Sequence, residues 1–197
     1  MKAALVALGV IVLTVALVLG WAVSVNNSLV ARDQTVQESW AQVQNVYQQR
    51  ADLVPNLVET VKGFAAQERT VLEEVTRARA SVAGIKVTPE MLNDPAVLRR
   101  FQEAQAQLGG ALSRLLVTVE RYPELKSNQN FLALQTQLES LEARVAVERR
   151  RFNETVRDYN TEVRRFPGSL VAAFRGFTEK AFFEAAPGSQ TAPKVQF

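Results

Sequence analysis

The sequence predicts an all-α protein, with an N-terminal transmembrane helix followed by an elongated antiparallel helical bundle. Three observations carry this reading. Residues 3–25 hold no charged side chain. After residue 28, apolar residues recur in paired columns at seven-residue spacing. Glycine (9) and proline (7) are too few in 197 residues for an all-β chain built on tight turns. With 47% apolar and 22% charged residues, neither disorder nor a many-span membrane protein fits.

The apolar segment Ala3–Val25 exceeds the roughly 20 residues a helix needs to cross a bilayer core. Trp21 sits near its end, where an indole rests at the headgroup level. Ala22-Val23-Ser24 resembles a signal-peptidase site. The uninterrupted run, however, is longer than the roughly 7–15 apolar residues of a cleaved signal. Residues 1–27 are therefore expected to be a retained signal anchor. Lys2 precedes the span and Arg32 beside Asp33 follows it, an asymmetry that favours the N-terminus inside and the bundle on the outer, periplasmic or extracellular, side.

Residues 28–168 carry the columns expected of a bundle. On the first stretch they are Val36, Val43, Arg50, Leu57, Phe64, Val71, Ala78 and Trp40, Tyr47, Val54, Val61, Glu68, Val75, Val82. Only Arg50 and Glu68 interrupt them. Gly84, Thr88-Pro89 and Asp94-Pro95 mark a stop, a turn and a restart. The second stretch, to Tyr122, aligns Phe101, Leu108, Leu115, Tyr122 and Leu98, Gln105, Leu112, Val119. Gly109-Gly110 in its middle signals close helix contact or a bend. Ser127 or Asn128 is placed to cap the third stretch. There Phe131, Leu138, Val145, Phe152, Tyr159 and Phe166 form an unbroken column, beside Leu134, Leu141 and an intruding Glu148. Residues 169–197 read as a Phe-rich short helix and a disordered tail, PGSQTAPKVQF.

Pro55 divides two readings of the first stretch. Mid-helix proline costs about 3 kcal/mol and kinks the axis, yet the columns keep phase across it. One helix over Ser28–Ala83 would be about 84 Å long, against about 40 and 60 Å for the other stretches. Such unequal rods would leave Val36, Trp40 and Val43 without partners. Four helices, with a fold-back near Asp52 and Asp52 as N-cap, are expected; a single helix kinked at Pro55 is the alternative.

The segments RADLVPNLVETVKGFAAQE (Arg50–Glu68), LSRLLVTVERYPELKSNQNFLALQTQLE (Leu112–Glu139), FNETVRDYNTEVRRFP (Phe152–Pro167) and GF-x-E-K-x-x-FE (Gly176–Glu184) together resemble the LemA family of bacterial membrane proteins. The resemblance runs in order over nearly all of the chain after residue 25. It implies a single N-terminal span, an elongated antiparallel bundle, and no defined reaction.

The chain has neither Cys nor His. That removes thiol nucleophiles, His-based triads, disulfides and the usual zinc, haem and iron–sulfur ligands. A bundle di-metal site built on Glu-x-x-His cannot be completed. Asp52, Glu59, Glu68, Glu73 and Glu74 are expected to form a solvated face, so no catalytic residue, metal or cofactor is assigned. Arg50, Glu68 and Glu148 are candidates for a polar layer in the seam, with Arg50 opposite Glu148 as one pairing. Arg150, Arg157 and Arg164 repeat every seven residues but are interleaved with acids, and no aromatic platform accompanies them. That argues against nucleic acid. Arg164, Arg165, Phe174, Phe177, Phe182 and Phe183 are candidates for membrane-surface or partner contact, or for closing the bundle's end.

The functional expectation is a non-enzymatic, membrane-anchored scaffold or adaptor in the bacterial cell membrane. Its partners would be lipid, through the first helix, and another membrane or envelope protein. The alternatives are a self-assembling structural protein, in which copies complete each other's seams, and an enzyme with a carboxylate-only site.

Overall fold

The computed structural model describes residues 2–86 and 88–184. It contains helices α1 (Lys2–Phe64), α2 (Arg69–Ala83), α3 (Pro95–Val119), α4 (Pro123–Lys126), α5 (Gln129–Arg164) and α6 (Gly168–Arg175), with a 3-10 turn at Pro89–Asn93. No strand occurs among the described residues. The tail 187–197, expected to be disordered, lies outside them.

α1 carries both the apolar segment and the first bundle helix without a break. Over the apolar segment its side chains point outward all round, Leu5 through Leu19 being exposed, and it is long and apolar enough to cross a membrane. From Leu29 onward it acquires a buried stripe: Val36, Trp40, Val43, Tyr47, Arg50, Val54, Leu57 and Val61. Within α1 the column residues from Val36 to Leu57 and from Trp40 to Val61 are therefore buried, while Phe64, at its end, is 42% exposed.

The fold-back expected near Asp52 is absent. Asp52 lies inside α1, accepting a hydrogen bond from Gln48 Nε2 at 2.8 Å, and the chain turns only at Ala65–Glu68, between α1 and α2. The physical reason lies in a neighbouring helix. Proline has no N–H, so Pro55 leaves the carbonyl four residues earlier, that of Ala51, without its helical donor. Arg79 of α2 supplies the donor, its Nε lying 2.9 Å from the Ala51 oxygen.

Two helices are capped at their starts by side chains. Asp94 Oδ1 accepts from the backbone N–H groups of Ala96 and Val97, and Asn128 Oδ1 accepts from that of Phe131. Gly84 closes α2. Gly109 and Gly110 mark no close approach: a Cβ at Gly109 would stand 3.8 Å from Arg50 Nη1 and one at Gly110 3.6 Å from Arg114 Nη1, both ordinary contact distances.

α5 packs antiparallel along α1. The hydroxyls of Ser39 and Thr155 are 2.8 Å apart, and further from the apolar segment Arg144 Nη1 donates to Gln49 Oε1 at 3.2 Å. Two core clusters stack along this pair. The far one joins Val54, Leu57 and Val61 of α1 to Leu72 and Val75 of α2, Leu108, Leu112, Leu115 and Val119 of α3, and Phe131 and Leu138 of α5. The near one joins Val36–Tyr47 of α1 to Phe101, Phe152, Tyr159, Leu92 and Phe183. No residue of α2 belongs to the near cluster. Trp40 meets the rings of Phe101 of α3, Phe152 of α5 and Phe183 of the segment after α6, and Val36 and Val43 belong to the same cluster.

Candidate functional site

Three places gather the residues that sequence reasoning singles out. The first is a polar layer at Arg50. This side chain is 3% exposed. Its Nη1 donates to Glu142 Oε1 at 2.8 Å, and its Nη2 donates to the Gln105 carbonyl at 3.1 Å and to Gln105 Oε1. The guanidinium also lies 5.1 Å from the Tyr47 ring centre. The partner is thus Glu142, not Glu148. α5 runs antiparallel to α1, and the two contact registers, Ser39 with Thr155 and Gln49 with Arg144, carry Arg50 past Glu148 toward Glu142. Glu148 is half-buried, and its Oε2 has no hydrogen-bond partner among the described residues.

Burial raises the Tyr47 phenol above its ordinary value, with Arg149 and Arg50 acting against that rise. A cleft of about 300 Å³ beside the layer is walled by Arg50, Arg99 and Arg149 and by Glu103, Glu142 and Glu184. The opposed charges offset one another, so the cleft presents no strong field to a charged ligand. Glu68 lies apart from it, in the turn between α1 and α2. There it accepts from Tyr122 Oη at 2.7 Å and from Arg121 Nη2 at 3.0 Å. That hydrogen bond to Glu68 is the main cause of the raised Tyr122 pKa.

The second place is a strap formed by Phe177–Glu184, which sequence reasoning missed. It runs back over the near half of the bundle and is held by two asparagines one heptad apart on α5. Asn160 Nδ2 donates to the Lys180 carbonyl and its Oδ1 accepts from the Lys180 N–H, both at 2.9 Å. Asn153 does the same for Phe183, again with both bonds at 2.9 Å. An amide side chain offers one donor and one acceptor, and so can replace a strand neighbour for a single residue. Phe183 then enters an aromatic cluster, 5.9 Å from Trp40 and 5.4 Å from Phe152 between ring centres. Lys180 is buried, with its Nζ 2.8 Å from Asp33 Oδ1 and 5.2 Å from the Tyr159 ring centre. Tyr159 Oη donates to the Thr178 carbonyl at 3.1 Å, and burial, aided by Asp33, pushes its phenol up to about 12. The available signal was the pairing of Asn153 and Asn160 on the buried side of an otherwise apolar helix face.

The third place is the junction with the apolar segment. α6 leans on α1: Arg175 Nε donates to Asn26 Oδ1 at 3.0 Å, and a Cβ at Gly168 would meet Val25 Cγ1 at 3.6 Å. The candidate contact residues divide here. Phe183 is buried and Phe177 is packed against the near core. Phe174 is 90% exposed on α6, and Phe182 is partly exposed on the strap. Arg164 and Arg165 are exposed at the end of α5, and Arg164 Nε is 3.7 Å from Glu179 Oε1.

The carboxylates on the first stretch do not converge. Glu74 pairs with Arg114 and Glu59 with Lys62, and among the described residues no group of three or more metal-ligating side chains is assembled.

Fold and surfaces together define a class: a helical bundle built directly onto a helix able to span a membrane, closed by its own C-terminal strap. A family model described as the LemA family matches residues 39–197, and the chain belongs to that family. It is 25% identical over 181 residues to magnetosome protein MamQ of Magnetospirillum gryphiswaldense, covering 84% of this chain and 66% of that protein. Magnetosome proteins MamQ 1 and MamQ 2 of Paramagnetospirillum magneticum are each 26% identical over the same extent. The chain thus spans just under two thirds of these relatives' own length.

Proposed function

We propose that this LemA-family chain is a non-enzymatic adaptor that displays a binding surface at a fixed distance from the bacterial membrane, with the bundle on the outer side. The continuity of α1 carries the reading. One helix serves as span and as bundle core from Lys2 to Phe64, so bundle orientation follows the span instead of swinging on a linker. The charge asymmetry of Lys2 against Arg32 and Asp33 supports the orientation. The absence of Cys and His from the sequence supports a role without catalysis.

Photo-crosslinking residues placed at Arg144, Arg151 and Asp158, an exposed stripe on α5, test this in cells. Adducts to one discrete membrane or envelope protein, formed along that stripe and absent from α3 controls at Gln107 and Ser113, support an adaptor. Adducts only between copies of this chain favour the self-assembling reading instead, and no adduct from any position contradicts both.

A further inference from the structure

We infer that α6 is an interfacial helix whose apolar face lies in the membrane, so that the bundle is held at two points and not one. Three large apolar side chains, Phe166 in the turn before α6 and Leu170 and Phe174 within it, are 76%, 62% and 90% exposed. Leu170 and Phe174, four residues apart within α6, share one side of that helix, and Phe166 is exposed just before its first residue. No part of the bundle covers them.

Their position names the occupant. α6 and α1 enclose a groove lined by Leu19, Ala22, Val23, Leu170, Val171 and Phe174. A span that enters the hydrocarbon at Ala3 and needs about 20 residues leaves it near Ala22, so this groove lies where hydrocarbon gives way to headgroups. The face of α6 is continuous with the outward-facing apolar surface of α1, which is itself exposed from Leu5 to Leu19. Arg175, at the last turn of α6, is tied to Asn26, the first amide beyond the span. Exposed Arg164 and Arg165 stand on the bundle side of the same junction. Apolar residues facing lipid with arginines at the headgroup level are the arrangement of a helix lying in the membrane plane.

The inference rests on α1 crossing the membrane but not on the adaptor reading. The cysteine-free sequence permits single nitroxide labels at Phe174→Cys, Leu170→Cys, Leu13→Cys and Arg151→Cys in the full chain, reconstituted in vesicles of zwitterionic and anionic phospholipid. Collision with oxygen, which concentrates in lipid, is compared with collision with a water-soluble nickel chelate. The expected result is a ratio at 170 and 174 several-fold above that at 151 and approaching that at 13. Ratios at 170 and 174 equal to that at 151 would place α6 in water. Labels at both positions shielded from both reagents would mean that protein covers the face. Either result overturns the proposal, while a lipid signal at 13 keeps the anchor intact.

Discussion

Arg79 Nε donates to the Ala51 carbonyl, the acceptor that Pro55 leaves without a helical N–H. A side chain from α2 thereby completes the hydrogen-bond ladder of α1 at its one interior proline. The contact joins two features that look unrelated in sequence, and it explains how α1 continues where a fold-back was expected.

Removing the donor, as Arg79→Ala, should cost about 1–3 kcal/mol, the range for losing a charged hydrogen bond to a partly buried carbonyl. In a Pro55→Ala background the restored N–H takes over, and the same change should cost about 1 kcal/mol less. Denaturant unfolding of all four proteins in detergent measures the coupling. Additive effects would mean that Arg79 does not stand in for the missing bond.

Arg50→Met should leave the bundle folded and within about 1–2 kcal/mol of the parent, because Glu142 is 45% exposed at its side chain and can return to water. Arg50→Ala removes the stem as well, opens a void beside Tyr47 and Gly109, and should cost about 2–4 kcal/mol. If the layer fixes helix register, Arg50→Met also loses a unique oligomeric state in light scattering. A variant unchanged in both stability and mass would show that the layer specifies nothing.

The strap should open before the bundle does. Asn160→Ala removes both bonds to Lys180 and leaves that backbone pair unsatisfied, at about 1–3 kcal/mol. Hydrogen exchange should quicken at Lys180 and Phe183 while the amides of α2 and α3 keep their protection. Exchange that quickens uniformly would make the strap part of the global unit.

Alkali should release the same element. Tyr159 is pushed up to about 12, while an unfolded tyrosine titrates near 10. The native state therefore holds its proton more tightly, and this contribution to stability is complete below about pH 10 and lost between about 10 and 12. Tyr159→Phe should flatten the stability curve over that window in denaturant titrations at stepped pH. An equally steep fall in the variant would assign the dependence to other groups.

Much of this architecture was legible because a buried helix face must repeat at seven residues. Val36, Val43, Trp40, Tyr47 and the α5 column from Phe131 to Tyr159 are all core. The cap of α5 was legible from residue type as Ser127 or Asn128, and Asn128 makes it. Phe166 shows the limit of the pattern: the column's last member falls beyond α5, where its spacing no longer reports on the seam. The columns that keep phase across Pro55 pointed to one helix, but what offsets the proline's missing donor was hidden, because it comes from Arg79, 28 residues along the chain. The strap was hidden because it has no periodicity. Its anchors are backbone bonds to Asn153 and Asn160, and a buried Lys180 reads as a surface residue until Asp33 is placed beside it.

The central claim is that α1 runs as one rod from the membrane to the far end of the bundle. Nitroxides at Asn27→Cys and Gly63→Cys in the otherwise cysteine-free chain, both at exposed positions, measure it by pulsed dipolar spectroscopy in nanodiscs. An unbroken helix gives a narrow distribution at about 54 Å, from 36 steps of 1.5 Å. A chain folding back near Asp52 would place the labels about 20–25 Å apart, and that distance would contradict the account.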